Sequence, residues 1–346
     1  MKIRKLLYPF SLLYGSITSI RNKCFDMGIL KSKSYALPVI SVGNITVGGT
    51  GKTPLTEYLI RILKDDYKLT LLSRGYKRKT KGALLANNSS TAESIGDEPF
   101  QIKSKFSDVT VAVAEKRVEG MELIQKNTQT DVVVMDDAYQ HRYVKPGFSL
   151  LVIDFNRPLW KDCPFPAGDL RETKHGQQRA DLIVVNKCPE DFSEQDKNFW
   201  LKKLKATGQQ QVFFTTISYG LPKAVSYGNQ KSFSGGMPIV ALAGIARPES
   251  FINHLKIKYK VDQQLIFPDH HHFTSNDIDE IVDAAGRENI KALVTTEKDA
   301  VRFEKLPDYI REKSWFIPIE LKVLFNEQEK FENRIRNYVR NHSNYS

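Results

Sequence analysis

Residues 39–55, VISVGNITVGGTGKTPL, carry an apolar run into a glycine-rich turn that closes on Gly51, Lys52 and Thr53. Residue types in this order bind the phosphates of a nucleoside triphosphate. Backbone N–H groups of Gly48, Gly49, Thr50 and Gly51 can wrap phosphate oxygens, and the N-terminus of a following helix adds partial positive charge. Lys52 reaches the β- and γ-phosphates, and the Thr53 hydroxyl ligands Mg²⁺. Pro54 suits a first helical turn, where its missing N–H is not needed. Leu55, Tyr58, Leu59, Ile62 and Leu63 then fall on one helical face. The strict pattern asks for glycine five residues before Gly51, where Thr46 stands. An ordinary glycine-rich turn would leave the terminal Lys-Thr pair unexplained.

Further candidates lie downstream. DVVVMDD (131–137) ends an apolar run with Asp136 and Asp137, which at a strand end beside a phosphate loop would hold Mg²⁺ or cap the next helix. Gln140 and His141 border the same position. GDEP (96–99) offers Asp97 as a base for an acceptor hydroxyl, or as a helix-starting acid. PAGDLRE (166–172) places Arg171 for phosphate and Glu172 for metal. FPDHHHF (267–273) holds three adjacent histidines. Consecutive side chains diverge, so an Asp269–His270 pair, or one His reaching a distant carboxylate, is a better reading than a metal site. Lys298 in TEKD (296–299) can meet phosphate or solvent.

These residues need a frame that brings loop ends together. LTLLSR (69–74), VTVAVA (109–114), DVVVMDD, SLLVIDF (149–155) and DLIVVNK (181–187) read as buried strands separated by helices. Near-continuous apolar strands of this kind imply a parallel sheet covered on both faces. A Gly/Ser/Lys-rich stretch at 220–236 marks a domain boundary. Beyond it the α/β alternation resumes on a smaller scale. The expected organisation is therefore an N-terminal helix over 1–33, a core domain over 34–222, a linker over 223–236 and a smaller α/β domain over 237–346, with a polar tail from 338.

The 346 residues carry 51 Lys/Arg and 40 Asp/Glu, and the excess is local. Residues 1–33 hold seven basic residues against Asp26, and RGYKRKTK (74–81) holds five and no acid; the remainder is balanced. Two clusters point to an anionic surface or phosphorylated substrate, whereas a nucleic-acid binder would spread its charge along a groove. Three cysteines without CxxC spacing point to a reducing compartment. Between Lys5 and Arg21, Leu6, Phe10, Leu13, Tyr14 and Ile17 recur at helical spacing, in a run broken by Pro9 and Gly15 and too short to span a bilayer. A signal peptide would begin similarly, but no small-x-small cleavage site follows. An interfacial helix, apolar side chains in the acyl region and cations on headgroups, is the expected form, with a helix packed on the protein core as the alternative.

Taken in order, SVGNITVGGTGKTP, LSRGYKRK, GDEP, DDAYQH, PAGDLRE, RAD (179–181), AGIARPESF, FPDHHHF and TEKDAVRF resemble the tetraacyldisaccharide 4'-kinase family over nearly the whole chain. DDAYQH and PAGDLRE depart slightly from the usual DDGFQH and PAGPLRE, and Thr46 becomes a family feature. The resemblance implies a P-loop NTPase-like core domain, a smaller α/β domain on a two-stranded linker and an amphipathic N-terminal membrane-docking helix. It implies transfer of the γ-phosphoryl of ATP, with Mg²⁺, to the 4'-hydroxyl of an acylated glucosamine disaccharide 1-phosphate in lipid A biosynthesis. Asp97 matches the acceptor-activating Asp, assisted by His270, a pairing that requires domain closure. Lys52, Thr53, Asp136 and Asp137 match phosphate and Mg²⁺ positions, and Glu172 sits in the second acidic motif. Arg74, Tyr76, Arg117 and Arg171 match segments lining the substrate crevice, which Gln140 and His141 border. The expected setting is the cytoplasmic face of a bacterial inner membrane, with no nucleic acid and no obligate protein partner. Two rivals are a GTPase, disfavoured because NKCP (186–189) lacks the guanine-binding Asp of NKxD, and a membrane-bound nucleotide switch.

Overall fold

The structure, a computed structural model, describes residues 4, 6–226, 235–269, 271 and 273–343. The chain forms two compact units, residues 1–217 with 321–346, and residues 218–320. The first opens with helix α1 (Tyr8–Asp26), followed by β1 (Val39–Gly43), α2 (Lys52–Leu63), β2 (Leu69–Ser73) and the short β3 (Leu84–Leu85). Then come α3 (Ala92–Ile95), α4 (Asp97–Lys105), β4 (Thr110–Val113), α5 (Arg117–Asn127) and β5 (Val132–Met135). β6 (Phe148–Asp154), β7 (Leu182–Asn186), α6 (Glu194–Leu204) and β8 (Gln211–Tyr219) complete the outward path.

In the second unit lie β9 (Lys223–Ala224), β10 (Pro238–Ala243), α7 (Glu249–Lys258), β11 (Lys260–Ile266), α8 (Ser275–Gly286) and β12 (Ala292–Thr296). α9 (Glu297–Ala300), α10 (Asp308–Arg311) and β13 (Ser314–Ile317) follow. β14 (Ile319–Val323) and α11 (Gln328–Ser343) return the chain to the first unit. The second sheet runs β11-β10-β12-β13-β9, parallel except for β9 against β13.

The nine-stranded sheet of the first unit runs β14-β8-β7-β6-β1-β5-β2-β4-β3. From β4 to β8 each neighbouring pair is parallel, and β3 is antiparallel to β4. Every residue of β1, β2, β5, β6 and β7 is buried. That follows from their composition, because β-branched and aliphatic side chains on both faces need cover on both faces. Strand order reverses at β1, with β5 on one side and β6 on the other. At such a switch point the loops leaving neighbouring strand ends diverge and open a crevice.

The expected domain limits need correction. β9 pairs with β13 inside the second sheet, so residues 223–224 are not linker; residues 227–234 lie outside the described set. The chain crosses between units at 217–218 and 320–321, along β8 and β14, which neighbour each other in the first sheet. The expected C-terminal limit of 346 fails for a packing reason. α11 buries Phe331, Ile335 and Val339 completely in the cluster that also holds Ile40, Leu59 and Val184. Tyr338 adds to this lock: its hydroxyl accepts from the Val39 N–H (3.1 Å) and lies 3.2 Å from the Val39 carbonyl, to which it donates. Phe331→Ala should lower the unfolding free energy of the first unit by about 3–5 kcal/mol, measured by urea denaturation. A loss below 1 kcal/mol would mean that the returning helix is dispensable.

Candidate active site

The loop between β1 and α2 sits at the switch point. Gly51 has φ of 92°, a left-handed conformation, and a Cβ there would collide with the Asn186 Nδ2. Gly48, at φ 90°, also needs the freedom of glycine. α2 begins at Lys52 without a side-chain cap, so its first N–H groups remain available to an anion. Gly43, at the end of β1, is pressed against Tyr139, where a Cβ would approach the Tyr139 backbone N to 2.8 Å.

Lys52 Nζ lies 3.5 Å from Asp137 Oδ1, and Arg171 Nη1 donates to both Asp137 oxygens at 2.9 and 3.2 Å. Burial raises the Asp137 pKa, but Lys52 and Arg171 outweigh it, and the net shift is downward. Asp137 therefore stays ionised. It takes φ of 44°, which turns it away from the strand direction just beyond β5. Asp136 is buried and accepts from the Thr56 hydroxyl at 3.1 Å. Burial, then the charges of Glu98 and Asp137, push its pKa up. A carboxylate crowded by two others is a place where a cation gains energy. The oxygen-only donor set, with Thr53 at the start of α2, suits Mg²⁺ held by a few protein oxygens and substrate phosphates. Among the described residues no group of three or more His, Cys, Asp or Glu forms a closed metal cage.

Arg117 is buried under this carboxylate pair, donating to the Asp136 carbonyl at 3.2 Å and to that of Ala114. Burial lowers its pKa to about 10, so it is charged at neutral pH. Asp97 opens α4 after Gly96, whose left-handed φ of 94° brings it against Gly75 and the Tyr76 carbonyl. The Arg74–Tyr76 turn after β2 therefore meets the start of α4, and the Tyr76 ring stands exposed.

Glu172, expected at a metal, is enclosed by hydrogen-bond donors. It is 2% exposed, and Arg179 grips both its oxygens at 2.8 and 2.9 Å. Gln140 and Asn22 donate to it at 2.9 and 2.7 Å. With its oxygens committed to four donors, Glu172 ties α1 to the loop after β5. Gln140 also donates to the Asn44 carbonyl at 2.8 Å, fixing the entry of the phosphate loop. His270 and His272 lie outside the described residues. His271 has a structural position: its Nε2 is 2.9 Å from Asp277, in the first turn of α8, and its ring stacks on Phe267. Asp269 pairs with Lys298 at 2.8 Å.

The sequence profile of the family described as tetraacyldisaccharide-1-P 4'-kinase (LpxK) matches residues 3–340. The chain belongs to the tetraacyldisaccharide 4'-kinase family. It is 44% identical to the tetraacyldisaccharide 4'-kinase of Bacteroides thetaiotaomicron, covering all of this chain and 96% of that protein. With the Flavobacterium johnsoniae tetraacyldisaccharide 4'-kinase it shares 45% identity over 98% of each chain. It superposes on LpxK from Aquifex aeolicus, solved in complex with ATP, with a TM-score of 0.77 at 30% identity, covering 97% of this chain and 99% of that one. As a family member the chain is an ATP-dependent kinase of lipid A biosynthesis.

Thr56, Glu98 and Asn22 escaped the sequence reading. Thr56 follows Thr53 and Glu98 follows Asp97, but nothing local says that either faces Asp136. Asn22 is signalled only by a polar side chain on the inward helix face. His141 gives a direct test of the crevice. Burial, then the positive charges of Arg117 and Arg74, push its pKa down from 6.5 to about 4. The ring is therefore neutral at pH 7, and protonation favours the unfolded chain, so stability should fall as pH drops from about 6.5 towards 4. By NMR the His141 ring should titrate near pH 4; a midpoint near 6.5 would place it outside this positive field.

Proposed function

We propose that this kinase carries out transfer of the ATP γ-phosphoryl group to the 4'-hydroxyl of tetraacyldisaccharide 1-phosphate with the residues at the β1 switch point. The observation that carries this reading is the junction of Lys52, Asp137 and Arg171 at the mouth of the phosphate loop. Lys52 and the loop N–H groups hold the triphosphate. Thr53 and Asp136 hold Mg²⁺, which neutralises phosphate charge when bound, while Asp137 keeps Lys52 and Arg171 in place. Asp136 takes the direct metal role because Asp137 already faces two cations, whereas Asp136 accepts from the neutral hydroxyl of Thr56. Asp97 orients the acceptor hydroxyl and accepts its proton, with His270 assisting. Arg74, Tyr76, Arg117, Gln140 and His141 shape the acceptor side. Most of the rate enhancement then comes from positioning and charge stabilisation.

The lipid acceptor calls for a membrane-facing surface, and α1 supplies one. Most of its large apolar residues point outward, with Phe10 61%, Leu13 61%, Ile17 56% and Ile20 62% exposed, and Leu6, just before the helix, is 77% exposed. The stripe that meets the protein is small or polar along most of its length, with Phe25 buried at the C-terminal end: Ser11 accepts from the Ala167 N–H at 2.8 Å, and a Cβ on Gly15 would lie 3.2 Å from Pro164. Tyr14, expected on the apolar face, turns inward and donates to the Arg171 carbonyl at 3.0 Å. Water alone would select the opposite arrangement. Among the described residues no helix is long and apolar enough to cross a membrane. On this reading the exposed apolar face of α1 sits in the interface of the inner membrane's cytoplasmic leaflet, with exposed Lys23 at headgroup level.

Incubation with γ-labelled ATP and the disaccharide 1-phosphate should place label at the 4' position, and Lys52→Ala should reduce transfer by about two orders of magnitude or more. ATP hydrolysis without transfer would favour a nucleotide switch. Deleting residues 1–21 should release the protein from anionic vesicles in a sedimentation assay at low salt; unchanged binding would move the membrane contact elsewhere.

A further inference from the structure

The phosphate loop is held from behind by side chains that the reaction chemistry does not use. Four successive loop carbonyls each receive a donor. Arg157 Nη1 donates to Val47 O at 2.7 Å, and Asn44 Nδ2 lies 3.4 Å from Gly48 O. Lys187 Nζ donates to Gly49 O, and Asn186 Nδ2 to Thr50 O at 3.1 Å. A peptide plane directs its C=O and N–H oppositely. Drawing carbonyls 47–50 towards these donors turns N–H groups 48–51 the other way. Those N–H groups make no hydrogen bond among the described residues. The result is a concave set of donors, ready for an anion before one arrives.

The outer donors are themselves fixed by the neighbouring strands. Asn186, fully buried at the end of β7, accepts from the Thr215 hydroxyl at 3.0 Å and from the Lys187 N–H at 2.8 Å, which orients its amide towards Thr50. Asp154, buried at the end of β6, lies 3.1 Å from Lys187 Nζ and 3.7 Å from Arg157 Nε. Lys187 adopts φ of 63°, which turns its backbone sharply just past the strand end. The Asn-Lys pair of NKCP is the piece of a guanine-reading motif that the kinase assignment left without a role. Here both side chains bind main-chain oxygens of the phosphate loop.

We propose that Asn186, Lys187 and Arg157, oriented by Asp154, are positioning residues that hold the phosphate loop in its anion-receptive form and take no part in reading the nucleobase. The inference rests on the loop being the ATP phosphate site. Isothermal titration calorimetry of the full-length protein with Mg²⁺ should therefore use two probes, ATP and inorganic tripolyphosphate, which lacks base and sugar. Lys187→Met should weaken both by the same factor, about tenfold for a charged hydrogen bond lost. Lys187→Arg should restore most of that affinity. The KM for ATP should rise while the KM for the lipid acceptor stays within about twofold.

Weakened ATP binding with tripolyphosphate unchanged would make Lys187 a base reader and overturn the proposal, as would unchanged binding of both. Should Lys187→Met fail to fold, Arg157→Met, which acts on Val47 at the rim of the loop, carries the same comparison. Wild-type protein that binds neither probe would count against the ATP site itself, a result distinct from failure of the brace.

Discussion

A short loop must point several backbone N–H groups at one spot with no anion yet there, and this requirement governs the architecture around it. Like partial charges converge, so the backbone resists the arrangement unless it is held from outside. Glycines at 48 and 51 supply the left-handed turns, and the close approach of Asn186 excludes a side chain at Gly51. The rest of the restraint comes from the parallel sheet, whose order reverses at β1 and so places β5, β6 and β7 where their C-terminal residues reach the loop. Those strand ends supply Asp136 and Asp137 on one flank and Asp154, Asn186 and Lys187 on the other.

Segment 163–172 connects this centre to the membrane-facing helix. The Arg171 N–H donates to Ile45 O at 2.8 Å and the Val47 N–H to Asp169 O at 2.7 Å, so the segment pairs with the phosphate loop. Its other edge receives α1, through Ala167 on Ser11, Tyr14 on the Arg171 carbonyl, and Asn22 on Glu172. Arg171 thus has its backbone between loop and helix and its guanidinium on Asp137. A helix that presents apolar residues to lipid gains little by packing them inward. Its attachment is therefore made largely of hydrogen bonds and small-residue contacts, which are directional and hold α1 in one register, with Phe25 packed on Tyr143 and Arg142 at its C-terminal end.

The buried strands were legible because a parallel sheet covered on both faces demands continuous apolar runs, and each expected run holds a strand within about a residue or two of its limits. The phosphate loop was legible because glycine, lysine and threonine have separate jobs there. The return of β14 and α11 was not. Phe331, Ile335 and Val339 repeat every four residues, which marks a helix with one apolar stripe, but nothing local says which sheet the stripe covers. The arginine on Glu172 was not legible for a related reason: a carboxylate near a phosphate site has the same residue type whatever it faces. Asn186 and Lys187 were noticed for a resemblance to a base-reading motif, while their actual partners, main-chain oxygens, leave no trace in the sequence at all.

Charge balance explains why these particular misreadings cluster around the crevice. Asp136, Asp137 and Glu98 act on one another there, and Lys52, Arg171, Arg117 and Arg74 stand around them. Adding a triphosphate alone would load this centre with further negative charge. Adding Mg²⁺ alone would bring a dication close to Lys52 and Arg171. Bound together, the two offset most of each other's charge, so the crevice is electrostatically suited to the metal–nucleotide pair over either component. Glu172 differs from Asp136 in being paired with Arg179 at 2.8 Å. The division follows from the partners, since both carboxylates are buried. Glu172 has a committed guanidinium, whereas Asp136 meets a neutral hydroxyl and the charges of other carboxylates and is left for a ligand to complete.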